Sequence, residues 1–385
     1  MKLLTRRSLL LELASLPIAA RWSLGVPIQS NLMFAGTNTG GRSESKGIYA
    51  YRWDPASGVL GSLGLVAETA SPTYMALSPD RLRLYVANEV NEYDGSKTGT
   101  VSAFTLDHNS GALTLKNVVS SGGAGPCNIA VDHTGKAVFV ADGAGGSLAS
   151  FQALSDGRLS DRVSDLHFTG HSVDPKRQTG PYTHCTVVSP DNRFLLVNDL
   201  GLDRITTYHF DPSSALLTPN DAPFYQAIPG SGPRSLTFHP NGRWAYSANE
   251  MGNSIDSLAW DSQKGTFTRT QNISTVPPNF TGRNAAATVR VEAKGNFLYV
   301  SNRGGNTIAV FSIHPVDGTL QPRQQLFCGG KTPRYFAIDP SNRWLLAANQ
   351  DSASIVVFSR NPATGLVTAT GNSYQIGFPM FLIFA

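Results

Sequence analysis

The chain has 385 residues, of which 41% are hydrophobic, enough for a large core and too many for global disorder. Only 15% are charged, against a usual value of about 25%, while 37 Gly and 23 Pro point to many short strands joined by tight turns. The net charge of +4 is spread along the chain with no basic block, which argues against nucleic acid as a partner.

Residues 1–25, MKLLTRRSLLLELASLPIAARWSLG, place Lys2, Arg6 and Arg7 ahead of an apolar run from Leu9 to Ala20. That is the order of a secretory signal. Adjacent arginines followed by Ser8, Leu9 and Leu10 look like a twin-arginine export signal. The expectation is an exported, periplasmic protein. Glu12 interrupts the apolar run, and no clean A-x-A cleavage site follows. The alternative is a short amphipathic helix on a cytoplasmic chain. No later stretch approaches the ~18 apolar residues of a membrane span, so a soluble mature chain is expected.

From residue 32 onward the sequence repeats. PTYMALSPDRLRLYVANE (72–89), PRSLTFHPNGRWAYSANE (233–250) and PRYFAIDPSNRWLLAANQ (333–350) each read as a strand, a turn and a second strand. A third strand follows (GTVSAFTLD, NSIDSLAWD, NTIAVFSIH, ASIVVFSRN), then a short fourth (GALTL, GTFTR, GTLQP, GLVTA). Four strands at constant spacing make a propeller blade.

The units begin at Pro72, Pro126, Thr183, Pro233, Ala286, Pro333 and Pro379, at intervals of 54, 57, 50, 53, 47 and 46 residues. Residues 32–71 supply strands two to four of a further blade, and the terminal PMFLIFA supplies its first strand. The expected fold is therefore all-β: one seven-bladed propeller over residues 32–385, its ring closed by the C-terminal strand. The only long departure from the repeat, 163–182, reads as a loop over one face. Trp53, Trp244, Trp260 and Trp344 occupy strand positions and are expected in the core.

In such a blade the start of strand one and the end of strand two lie at the same end, around one mouth of the central channel. The residue after each unit start reads Thr73, Cys127, His184, Arg234, Ala287, Arg334, Met380. The strand-two ends read Asn38, Glu89, Gly143, Leu200, Glu250, Arg303, Gln350. One position earlier stand Thr37, Asn88, Asp142, Asp199, Asn249, Asn302 and Asn349, which turn capping explains. Turn chemistry does not call for His184, Arg234, Glu250, Arg303 or Arg334. A carboxylate among guanidiniums at a channel mouth suits an anionic ligand, and it would equally suit ion pairs between blades. Glu89, Arg177, Tyr182, Arg334 and Gln350 are candidate substrate contacts around them.

Other chemistry is weak. There is no G-x-S-x-G or HExxH motif. His167 and His171 lie four apart without a helix to align them, and Cys127, Cys185 and Cys328 form no CxxC pair. No metal, cofactor or disulfide framework is expected, and oligomeric state is not legible.

At this point the chain resembles the seven-bladed lactonase propellers, a family including propeller-type 6-phosphogluconolactonases and fungal carboxy-cis,cis-muconate cyclases. The resemblance spans 32–385. It rests on GSGPRSLTFHPNGRWAYSANE (230–250), RQTGPYTHCTVVSPDNRFLLVNDLGLDRI (177–205), YVSNRGGNTIAVF (299–311) and GGKTPRYFAIDPSNRWLLAANQDSASIVVF (329–358). It implies a catalytic group of His184, Arg234, Glu250 and Arg303 acting on a small-molecule lactone or other anionic substrate. The family often has His-x-His where this chain reads Tyr182-Thr183-His184. The expected activity is hydrolysis of a sugar-derived lactone, with Glu250 as base on water and His184 protonating the leaving oxygen. Lactone-forming cycloisomerisation and a non-catalytic, exported binding propeller are the alternatives.

Overall fold

The structure is a computed structural model that describes residues 31–385 apart from Arg42. The expected export segment 1–25 lies outside the described residues. Twenty-eight strands form seven four-stranded antiparallel sheets, and no helix occurs among the described residues. Blades 1 to 6 cover 72–120, 126–167, 183–226, 233–274, 285–327 and 333–375. Blade 7 joins the chain ends: Pro379–Phe384 pairs with Leu32–Thr37, with Met33 opposite Phe384 and Gly36 opposite Phe381. The ring is thus closed by hydrogen bonds between opposite ends of the described chain.

The core lies between blades. Apolar side chains run almost continuously along the inner strands, so each sheet buries both faces against its neighbours. The largest cluster joins blade 7 to blades 6 and 1, with Phe34, Trp53, Phe381 and Leu382 among its members. A second device couples blades 4 and 5: the turn before the fourth strand of blade 5 carries Gly318 at φ +73°, packed on the Trp244 ring of blade 4. A Cβ at Gly318 would fall 2.4 Å from that ring, so only glycine fits both the backbone and the contact. Trp53, Trp244 and Trp260 are buried as expected, and Trp344 is half-buried with its Nε1 donating to the Pro55 carbonyl at 3.0 Å.

Two expectations need correction. The departure read as a loop over 163–182 begins later, because Leu159–His167 is the fourth strand of blade 2 and only 168–182 is irregular. The polar composition of 163–167 hid the strand: an outer strand faces solvent on one side, and only over 163–167 does burial alternate residue by residue. For the same reason the fourth strands are not short. They run to ten residues in Leu217–Gln226 and eight in Leu320–Phe327.

The first strand of each blade carries an irregularity beside the channel. In blade 4 Pro233 pairs with Asn249 and Ser235 with Ala248, leaving Arg234 without a partner. Thr73, Cys127, His184, Arg334 and Met380 are skipped in the same way in their blades. In blade 5 the irregular stretch takes in both Ala287 and Thr288. An extra residue in one strand re-aims its side chain, and repetition around the ring gathers these side chains at the axis.

Candidate active site

Thr73, Cys127, His184, Arg234, Arg334 and Met380 enclose a channel void of about 20 Å³, room for roughly one water. Thr288 stands there for blade 5 in place of the expected Ala287. The strand-two ends form the rim above. Their backbone N–H groups are tied to the residue before strand one, as in Glu89 to Ser71 (2.8 Å), Glu250 to Gly232 (2.7 Å) and Gln350 to Thr332 (2.9 Å). The preceding column caps backbone as expected: Asn349 donates to Cys328 and Asn88 to Ala70, while Asp199 accepts from Tyr182, Gly201 and Leu202.

Above the void opens a pocket of about 310 Å³, lined by Arg177, Tyr182, His184, Glu250, Arg303 and Arg334, with Lys176 and Leu200. Glu250 is its centre. Arg177 bonds one carboxylate oxygen and Arg303 the other, and Arg234 Nε approaches that second oxygen to 2.8 Å. Across the mouth Arg334 pairs with Glu89 at 3.2 Å. One lysine and four arginines therefore face two carboxylates.

Irregular segment 168–182 brings Lys176 and Arg177 over this mouth. It is anchored from beneath: buried Gln178 donates to the Leu200 carbonyl at 2.9 Å, and Ser172 donates to Asp203 at 2.6 Å. Tyr182, at its end, lies over Gly143, where a Cβ would come within 2.9 Å of the phenol ring. The bare rim position of blade 2 makes space for that ring.

Burial alone would push the Glu250 carboxyl up, but Arg303 and Arg234 override it and hold the group far below the usual carboxylate range. Burial, then Arg234, holds His184 well below its ordinary value, so the imidazole is neutral at pH 7. Burial and Arg303 push Arg234 down to about 9, which leaves it charged at neutral pH. Tyr182 is pushed up to about 12 by burial and stays a phenol. Burial also pushes the Cys127 thiol well up, making it a poor nucleophile.

Of the sequence-derived candidates, His184, Arg234, Glu250, Arg303, Arg177, Tyr182 and Arg334 come together. Glu89 stands behind Arg334 as its partner. Gln350 is on the rim but neither lines the pocket nor bonds its charges. Lys176 is a lining residue that sequence reasoning passed over; its adjacency to Arg177 in the one long insertion was the available signal. His167 pairs with Asp165 on the outer strand, and His171 bonds only the Ser172 carbonyl. Among the described residues no group of three or more His, Cys, Asp or Glu could hold a metal ion. The three cysteines are free and buried.

A family profile described as Lactonase, 7-bladed beta-propeller matches residues 32–384. The chain belongs to the seven-bladed β-propeller lactonases. As a member it is a lactonase. It is similar to a 6-phosphogluconolactonase of Bacillus subtilis, 32% identical over 351 residues, covering 91% of this chain and 97% of that one. Among solved structures, a putative 6-phosphogluconolactonase from Bacteroides fragilis superimposes with TM-score 0.86 at 32% identity, covering 94% of the lactonase and 99% of that chain. A periplasmic gluconolactonase from Pseudomonas aeruginosa gives TM-score 0.85 at 33% identity, covering 92% and 98%.

Proposed function

We propose that the mouth pocket hydrolyses a sugar-derived lactone bearing an anionic group, with 6-phosphogluconolactone as the leading substrate. The observation that carries this reading is the excess of guanidinium and ammonium groups over carboxylates around a neutral, buried imidazole.

Charge assigns the roles. A carboxylate shared by three guanidiniums is a weak proton acceptor, so Glu250 serves to hold Arg234, Arg303 and Arg177 in place. The neutral imidazole of His184 takes a proton from water as its oxygen attacks the lactone carbonyl. Arg234 and Arg303 stabilise the oxyanion that forms. Collapse of the tetrahedral intermediate breaks the bond to the ring oxygen, which leaves with the proton carried by His184. The products are a carboxylic acid and a hydroxyl on one open chain, the balance of lactone plus water. Arg334 and Lys176 face the remaining space and suit the anionic substituent.

The Bacillus relative supports the phosphorylated substrate. The Pseudomonas neighbour supports a second reading, an exported enzyme acting on unphosphorylated gluconolactone, consistent with the expected signal at Arg6 and Arg7. The test is hydrolysis of freshly prepared 6-phosphogluconolactone and glucono-δ-lactone by a chain starting at residue 26, with spontaneous opening subtracted. Arg234→Ala should lower kcat/KM by about 10²–10³-fold, the usual loss for an oxyanion donor. Undiminished turnover in that variant would overturn the mechanism. Absence of hydrolysis on both substrates would move the assignment to cycloisomerisation or ligand binding.

A further inference from the structure

The opposite end of the channel holds a second pocket, of about 430 Å³, built from the turns between first and second strands. Its members come from Arg81 of blade 1, Arg290 to Ala293 of blade 5, Tyr335, Ala337 to Pro340 and Asn342 of blade 6, and Leu382 to Phe384 of blade 7. Tyr335 also lines the channel void beneath the mouth, and no member lines the mouth pocket itself.

Arg290 is the odd feature there. Arg234, Arg303, Arg334 and Arg360, the other arginines held inside the ring, each face a carboxylate. Arg290 faces none. Its guanidinium donates to the Tyr335 hydroxyl at 2.7 Å, the Tyr74 hydroxyl at 3.2 Å and the Val289 carbonyl at 3.3 Å, and sits 5.2 Å from the Tyr335 ring centre. These partners satisfy donors, and none of them is a carboxylate. An inward-held cation without a counter-charge is costly.

The two carboxylates lining the same pocket do not supply that charge. Glu292 accepts from the Lys294 and Asn296 amides, from Asn342 at 2.7 Å, and faces Arg360 at 3.5 Å. Asp339 accepts from the Arg343 and Trp344 amides, from Ser341 and from Trp53. Arg81, on the other wall, makes no side-chain hydrogen bond or ion pair among the described residues. Ala337, Ile338, Leu382 and Phe384 line the same pocket.

We propose that this pocket binds a small organic carboxylate with an apolar body, its carboxylate held between Arg290 and Arg81 and its hydrocarbon on the apolar floor. Guanidinium forks match a carboxylate, and the floor disfavours the polyhydroxy acids that the mouth would release. The pocket is a ligand site separate from catalysis.

The experiment is calorimetric titration of the purified protein with benzoate, and with benzyl alcohol as the uncharged comparison. Saturable benzoate binding is expected, with benzyl alcohol weaker by about tenfold or more, the value of one charge-assisted contact. Arg81→Asn, chosen because asparagine tolerates the φ of +61° at that turn, should weaken benzoate by a similar factor while leaving lactone hydrolysis unchanged. Arg290→Lys should weaken it as well, and Arg234→Ala at the far mouth should not. No saturable binding up to about 10 mM, an affinity below about 3 kcal/mol, would overturn the proposal. So would benzoate binding that survives Arg81→Asn, or that disappears with Arg234→Ala.

Discussion

At the residue scale, Glu250 is a structural centre of charge. Its side chain is buried, and three guanidiniums converge on its two oxygens. Glu250→Gln should destabilise the fold by about 3 kcal/mol, the lower range for breaking a buried ion pair from one side, measured by urea unfolding. Its effect on turnover should follow from misplaced arginines and appear in both kcat and KM. His184 makes a prediction in pH. Its folded pKa lies well below the ordinary 6.5 because burial and Arg234 oppose protonation. As the pH falls below 6.5 the unfolded chain takes the proton first, so stability declines with falling pH in that window and is unaffected above it. His184→Gln should flatten that slope in unfolding midpoints measured against pH. The same shift means that lactonase turnover stays level through pH 6.5 and falls only in stronger acid; an acid limb centred at 6.5 would contradict a depressed imidazole. Arg177 differs from its partners because its side chain is 48% exposed. Its pair with Glu250 is screened, and an incoming anion can compete for it.

At the element scale, the bulged first strand builds the site. A regular strand would send His184, Arg234 and Arg334 into the sheet faces, where charged side chains have no partners. The extra residue in each blade turns them toward the axis instead. The closing strand is the other decisive element. Phe381 is buried, with its ring centre 4.0 Å from that of Tyr74 and 4.1 Å from that of Tyr335. It joins the last strand to blades 1 and 6 at once. Phe381→Ala should cost about 3–5 kcal/mol, read as a lower denaturation midpoint. A cost near zero would mean that blade 7 closes through its backbone pairing alone.

At the scale of the whole molecule, the formal net charge is only +4, yet the mouth concentrates five cationic side chains against two carboxylates. That excess favours an anion at the mouth. The expected outcome is that kcat/KM for 6-phosphogluconolactone falls as salt rises from about 0.01 to 0.15 M, where the screening length shrinks from about 30 to 8 Å. Glucono-δ-lactone, uncharged, should show little change over the same range. Equal salt dependence for both would place the recognised charge elsewhere. Closure also sets folding kinetics, since Met33 and Phe384 must meet from opposite ends of the described chain before blade 7 exists.

Architecture was legible without coordinates because it repeats: seven starts at nearly even spacing, with a lone first strand at one end and three orphan strands at the other, have one closed solution. The two columns that hold His184, Arg234, Glu250, Arg303 and Arg334 were legible for the same reason, since equivalent positions in a ring must share one end. Outer strands such as Leu159–His167 were less visible, because solvent on one side removes the apolar signal. What the sequence by itself could not decide was how the gathered charges pair. Coulomb energy depends on distance and on burial, and neither is a property of spacing along the chain. Only the folded ring puts three guanidiniums on Glu250, and the proton-accepting role proposed for His184 rests on that pairing. Only the folded ring leaves Arg290, an ordinary strand residue to the eye, facing the far end of the channel without a carboxylate.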